Sequence, residues 1–333
     1  MVHSSGDAAR LLSSQPLLAR RFELVKVLGF GGAAAVFHVR DSERGGEEVA
    51  LKVLADSGAF DARTLSRFEA EAALLQQVRH PHIVQALDYL SLGHTVAYTM
   101  ELVRGRELSR FIRPGALTLY QIDTIFRQIL SALHELHNRG VYHRDLKLEN
   151  VLYSEESGVK LADFGLMKIK RFSHDTEAGL LLGTAQYLPP EYIRSSRYDA
   201  RSDLYCVGLL LYELLSGARW LAEFSGNDSI SYLVEKNFDV PHPLPSTVPS
   251  KYHRIIKKAL IADVRRRYQS AYEMMNAFAD EEGERRYGSV RGARTASMGR
   301  GSQPAFVFDH PIAFVIASLF LVLSAVLVLL AER

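Results

Sequence analysis

The stretch His143-Arg144-Asp145-Leu146-Lys147-Leu148-Glu149-Asn150 gathers a candidate base, a candidate phosphate-binding cation and a candidate metal ligand in one short loop. Asp145 has the chemistry to accept a proton from a substrate hydroxyl or to orient that hydroxyl. Lys147 can neutralise a phosphate as charge develops on it, and Asn150 offers a neutral oxygen to Mg2+. Asp163-Phe164-Gly165 follows with a further carboxylate for the metal. Phosphoryl transfer asks little covalent work of a protein and much positioning and charge neutralisation, which these residue types supply. The competing reading is a chance polar turn.

Upstream, Phe22-Glu23-Leu24-Val25-Lys26-Val27-Leu28 alternates imperfectly and meets the cluster Gly29-Phe30-Gly31-Gly32-Ala33-Ala34-Ala35-Val36. Val36-Phe37-His38-Val39 resumes the strand pattern, and Gly45-Gly46 reads as a hairpin turn into Val49-Ala50-Leu51-Lys52-Val53-Leu54. An antiparallel sheet is expected. A glycine cluster alone marks an ordinary turn. Between two strands it is also a candidate flap over nucleotide phosphates, because missing side chains let backbone N–H groups approach oxygen. Lys52, in an apolar strand, would by itself face solvent. Glu71 shares a helix face with Leu65, Phe68, Ala72 and Leu75, and would by itself be a solvated charge. As a pair, Glu71 is suited to hold Lys52 toward the α- and β-phosphates, since a buried lysine without an acid is costly. His80-Pro81 is expected to end that helix.

Downstream the pattern turns helical. Ile122, Ile125, Phe126, Ile129, Leu133 and Leu136 predict a long amphipathic helix ending at Gly140. Val151-Leu152-Tyr153 and Val159-Lys160-Leu161 read as short strands around Ser157-Gly158, and Leu204 to Leu215 as a central buried helix. His134 and His137 can share a helix face, but no third metal ligand is evident near them.

From Phe22 to about Ala279 the chain resembles the eukaryotic-like Ser/Thr protein kinase family, including its bacterial members. The resemblance rests on the glycine loop, Val49-Ala50-Leu51-Lys52, Glu71, the His143–Asn150 loop, Asp163-Phe164-Gly165 and Gly183-Thr184-Ala185-Gln186-Tyr187-Leu188-Pro189-Pro190-Glu191, followed by Asp203 and Arg267. It implies an α+β bilobal fold, with a small antiparallel-sheet N-lobe (residues 22–102) and a larger helical C-lobe (103–280). It also implies ATP between the lobes, with Mg2+ or Mn2+. By position, Leu28, Gly29, Gly31, Val36, Ala50 and Leu152 would enclose the nucleotide. Met100 would be the gatekeeper, Glu101-Leu102-Val103 the hinge beside adenine, and Glu107 the ribose contact. Asp203 would brace the catalytic loop, and Glu191 would pair with Arg267. Lys147 and Thr184 match the pattern of kinases acting on protein Ser/Thr hydroxyls. Arg144 resembles members controlled by loop phosphorylation, with Ser173 and Thr176 as candidate sites of autophosphorylation through self-association. Ala34 stands where the family has its third loop glycine, Pro190 replaces an alanine, and Val264 a proline. The alternatives are a pseudokinase scaffold without turnover and a small-molecule kinase.

The 333 residues carry a formal charge of +2, too small to argue for a nucleic-acid partner. A single cysteine, Cys206, excludes an intrachain disulfide and reads as a buried hydrophobe. Residues 1–21 are expected to be a flexible leader, without a continuous apolar run of secretory type. Residues 281–311 form a basic juxtamembrane linker bearing Arg285, Arg286, Arg291, Arg294 and Arg300. From Ile312 to Leu330 no charge occurs, and a helix of that length spans roughly 28 Å, matching a bilayer's hydrocarbon layer. One C-terminal transmembrane helix is therefore expected over 312–330, with the kinase domain on the cytoplasmic face behind the arginines. A buried core helix is the competing reading.

Overall fold

The computed structural model describes residues 12, 15–30, 34–54, 62–92, 95–164, 185–224, 227–239 and 243–279. Gly31, Ser173, Thr176, Gly183, Thr184, the linker and the expected span over 312–330 lie outside them. Among the described residues no helix is long and apolar enough to cross a membrane.

The first lobe is an antiparallel sheet ordered β1-β2-β3-β5-β4. Its strands are β1 (Phe22–Phe30), β2 (Ala34–Asp41), β3 (Glu47–Leu54), β4 (Ala86–Leu92) and β5 (Thr95–Glu101). The imperfect alternation of β1 has a structural cause, since its register against β2 shifts between Leu24 and Lys26 and again between Val27 and Gly29. Side chains alternate across the sheet with the period of two that a pleat imposes. Ala35, Phe37, Val39, Val49, Leu51, Val53 and Ala97 gather on one face. Ala50, Leu54, Val96, Tyr98 and Met100 join the other, larger core, which also contains Phe68, Ala72 and Leu75 of helix α2 (Ala62–Gln77). The helix closes at Gln77, before His80-Pro81.

The leader expected over residues 1–21 is ordered at its end, which corrects that reading. Pro16–Arg21 forms helix α1, with proline in its first turn, where the missing N–H costs nothing. Leu12 and Leu18 are buried against the first face of the sheet. Arg21 donates to both Asp41 oxygens at 2.8 and 2.6 Å and to Asp88 at 2.6 Å. The physical reason is that a sheet face carrying Phe37, Val39, Leu51 and Val53 must be covered, and this segment covers it.

A small second sheet, β6-β7-β8, comprises Arg106–Glu107, Val151–Ser154 and Gly158–Leu161. The two-residue β6 was not expected, and it sets Glu107 opposite Leu152. Gly105 precedes it because a Cβ there would lie 2.8 Å from the Tyr153 carbonyl oxygen.

Helices build the remainder. Helix α3 (Leu119–Asn138) starts at a Thr118/Gln121 capping box, buries the predicted stripe and ends just before Gly140, whose φ is 70°. Helix α4 is Pro190–Ser195 and α5 is Ala200–Ser216. Pro190, unusual by family pattern, again occupies a first helical turn. Helix α5 is buried from Ser202 to Leu215. At Gly208 it meets α7 (Ser250–Ala259) so closely that a Cβ would lie 2.7 Å from the Cβ of Ala259. Helix α6 (Asn227–Glu235) and helical residues 271–279 complete the described chain.

Candidate active site

Register alone assembles the upper half of the site. Lys52 lies opposite Val36 on β2 and Tyr98 on β5, while Ala50 lies opposite Met100, so all five share one face of the sheet. Helix α2 packs on that face and turns Glu71 inward, 1% exposed. Lys52 Nζ donates to Glu71 Oε1 at 2.7 Å and to Asp163 Oδ1 at 2.9 Å. The solvent-facing reading of each residue is thereby overturned. Burial acts to lower the Lys52 pKa, but the charges of Asp163 and Glu71 outweigh it and hold the ammonium well above its usual range. Burial raises the Glu71 pKa against the pull of Lys52, whereas the Lys52 charge holds Asp163 below the ordinary carboxylate range.

Sequence reading missed Tyr98. Its hydroxyl donates to Glu71 Oε1 at 2.8 Å and its ring lies 5.6 Å from Lys52 Nζ. The available signal was its alternation with Val96 and Met100, which places it on the site face.

The lower half is the His143–Asn150 loop, held by Asp203 of α5. One Asp203 oxygen accepts from the His143 backbone N–H at 2.9 Å and from His137 Nε2 at 2.8 Å. The other accepts from the Arg144 N–H at 3.1 Å and from the Tyr198 hydroxyl at 2.6 Å. His137 is thus a structural partner of Asp203, and among the described residues no His/Cys/Asp/Glu cluster able to hold a metal is found. Arg144 and Asp163 have φ of 65° and 53°, a left-handed conformation that costs most residues of order 1–3 kcal/mol. The Asp203 bonds offset that cost for Arg144. For Asp163 the Lys52 bond does so, together with Phe164, whose buried ring stacks 4.7 Å from His143.

Asn150 Nδ2 donates to the Asp145 carbonyl at 2.8 Å, to Asp145 Oδ2 at 3.0 Å and to the Asp163 carbonyl at 3.3 Å. Lys147 Nζ lies 3.7 Å from Asp145 Oδ2. Asp145, Lys147, Asn150, Asp163, Lys52 and Glu71 therefore converge. With its amide nitrogen turned to Asp145, Asn150 presents Oδ1 as a ligating atom, and the Asp163 carboxylate is 49% exposed. One carboxylate and one amide oxygen fit a hard divalent cation that takes its other oxygens from phosphate and water.

Other expected residues take more modest places. Glu107 and Leu152 face each other across β6 and β7, with Glu107 accepting from Ser109 Oγ at 3.0 Å. Val103 is half-buried beside the core, and Leu28 and Gly29 lie on β1, Leu28 being exposed. The Glu101 side chain accepts from Lys160 Nζ at 2.6 Å and from the Gln85 N–H at 2.8 Å, which leaves its backbone to serve as the expected hinge. Farther from the chemistry, Arg267 pairs with Glu191 through two bonds of 2.9 and 2.8 Å, as expected. Cys206 is buried, which pushes its thiol pKa up.

Residues 22–278 match the family model described as protein kinase domain. The chain belongs to the protein kinase family. Serine/threonine-protein kinase PknL of Mycobacterium tuberculosis is 34% identical over 272 residues, which cover 80% of this chain and 67% of that protein. PknA of the same organism is 32% identical over 294 residues, covering 86% of this chain and 67% of its own length. A probable serine/threonine-protein kinase PknB of Lactococcus lactis is 33% identical over 268 residues, covering 79% of this chain. The chain spans only 42% of that Lactococcus protein's length. The protein kinase domain is thus of the type found in bacterial Ser/Thr kinases.

Proposed function

We propose that this protein kinase transfers the γ-phosphate of ATP to Ser or Thr hydroxyls of protein substrates, with Mg2+ as the metal, for which Mn2+ can substitute. The supporting observation is the convergence of Asp145, Asn150, Asp163, Lys52 and Glu71 in one cleft wall. The acceptor hydroxyl oxygen forms a bond to the γ-phosphorus as the bond from that phosphorus to the β,γ-bridging oxygen breaks, and ADP leaves. The hydroxyl proton passes to Asp145, which Asn150 orients. Lys147 offsets charge on the transferring group, and Lys52, fixed by Glu71, holds the α- and β-phosphates. A divalent cation at Asn150 and Asp163 would neutralise the phosphate oxygens.

Loop phosphorylation at Ser173 or Thr176, paired with Arg144, is part of this reading. Full activity with neither residue phosphorylated, seen by mass spectrometry, would remove it. The reading also includes a membrane tether through residues 312–330, supported by their uncharged apolar sequence and the arginines ahead of them.

The test of turnover uses labelled ATP, Mg2+ and a generic protein acceptor. Transfer by the wild type, reduced at least ~100-fold in Asp145→Asn and in Lys52→Met, is expected. Nucleotide binding without transfer would replace the kinase with a scaffold, and label on small hydroxylated metabolites alone would make it a small-molecule kinase.

A further inference from the structure

Arg219 joins two segments that flank Asp145. The short turn Leu148–Asn150 buries its first and last residues and leaves Glu149, between them, 35% exposed. Glu149 takes no part in the proposed transfer, although it lies in the same loop as Asp145 and Lys147. On the other side, Tyr187, Leu188 and Pro189 line one pocket with Arg144 and Asp145. Gly217, with φ of 70°, ends α5 and turns the chain back, so that the Trp220 N–H reaches Glu213 and Arg219 comes to lie between the two segments. Arg219 Nη2 donates to Glu149 Oε1. Its Nη1 donates to the Tyr187 hydroxyl at 3.0 Å and lies 3.8 Å from Glu213 Oε2. The guanidinium is 33% exposed, so an incoming chain can reach it.

We propose that Arg219 is a specificity-determining residue for the protein acceptor, an internal arginine that occupies an acidic site near Asp145 and directs the kinase to acceptors with no basic residue there. The substrate class is a Ser- or Thr-bearing chain that is neutral or acidic at the position meeting Glu149. Charge sets the direction. The charges of Glu149 and Arg219 cancel. Glu213 accepts from the Tyr187 hydroxyl and the Trp220 N–H, and burial raises its pKa to about 7, so it adds only part of a charge at neutral pH. With Arg219 in place the site is therefore close to neutral. An arginine or lysine from an acceptor finds Glu149 already paired and a like charge beside it. Without Arg219 the site keeps at least the negative charge of Glu149, while the Tyr187 hydroxyl still donates to Glu213. A cation from the acceptor then gains a charge-assisted bond by taking the vacated place.

The inference rests on transfer to protein hydroxyls, and its test separates the two. The full-length chain in detergent is assayed with a peptide taken from the site that the wild type phosphorylates in a generic protein acceptor. Copies of that peptide carry one arginine at each flanking position in turn. The wild type should use every arginine peptide within about threefold of the parent in kcat/KM. Arg219→Gln should favour one arginine peptide over the parent by about 10-fold, through KM for the peptide, with KM for ATP within about twofold of wild type. The gain should vanish when Glu149→Gln is added, because the new cation pairs with that carboxylate. Should Arg219→Gln not fold, Arg219→Met, long and uncharged, takes its place. A wild type that prefers any arginine peptide by more than about threefold would overturn the assignment. So would an unchanged ratio in the Arg219 variant, a gain that survives Glu149→Gln, or loss of transfer to every peptide by the Arg219 variant. A wild type that transfers to no protein removes the kinase reading and this inference together, whereas transfer with an arginine preference removes the inference alone.

Discussion

Glu213 shows how far one side chain can be displaced from its ordinary chemistry. Its side chain is fully buried, accepting from the Tyr187 hydroxyl at 2.7 Å and the Trp220 N–H at 2.8 Å, with Arg219 3.8 Å away. Burial is the main cause that raises its pKa to about 7. In the unfolded chain a glutamate loses its proton near pH 4.3, whereas the folded protein keeps it to about 7. Between those values the folded state binds more protons, so stability falls as pH rises through the window, by on the order of 3 kcal/mol. Thermal melts from pH 5 to pH 8 should show the wild type losing stability relative to Glu213→Gln, which has no proton to lose. Parallel melting curves across that range would refute the assignment. The convergence of the proposed catalytic residues was legible at this scale because their chemistry is dense in sequence, with Asp145, Lys147 and Asn150 lying within six positions. Tyr98, Tyr198 and Lys160 were not, since each acts through a partner that is placed by the fold and not by the local pattern. The Tyr98–Glu71 bond spans 27 positions and the Lys160–Glu101 bond 59.

Elements were legible where periodicity had room to repeat. Helices α3 and α5 run for 20 and 17 residues, enough for an apolar stripe or an all-round apolar run to stand out. Helix α1 has only 6 residues, less than two turns, and its apolar side has meaning only against the sheet face it covers. The two-residue β6 is invisible for the same reason. Helix α1 precedes the segment that matches the family model, yet Leu18 is fully buried in the core beneath it. Leu18→Ala should therefore cost about 2–4 kcal/mol in urea unfolding, the range for deleting a buried leucine side chain. Its neighbour Leu17 is 58% exposed, and Leu17→Ala should change stability by less than about 0.5 kcal/mol. Equal effects of the two substitutions would mean that α1 does not dock on the sheet.

At the scale of the whole molecule, a catalytic domain of mixed charge is followed by a linker with arginines but no acid from Arg285 to Phe308, then by an uncharged apolar stretch from Ile312 to Leu330. Such a stretch in water would expose a contiguous apolar surface far beyond what soluble monomers tolerate, whereas in a bilayer its backbone is satisfied as a helix and its side chains by lipid. The two environments predict different behaviour on extraction. A spanning helix keeps the full-length chain in the membrane pellet through alkaline carbonate, which strips proteins held only by charge. Deleting residues 312–330 should move the protein to the soluble fraction while ATP-dependent transfer persists, because every catalytic group described above precedes residue 164. Protease added to inverted vesicles should then degrade the kinase domain of the full-length chain, since the arginines ahead of the span favour the cytoplasmic side. If the intact chain were released by carbonate, the segment would have to be packed against protein, and the tether would be wrong. If it stayed in the pellet with its kinase domain shielded in inverted vesicles, the tether would hold and the orientation drawn from the arginines would fail.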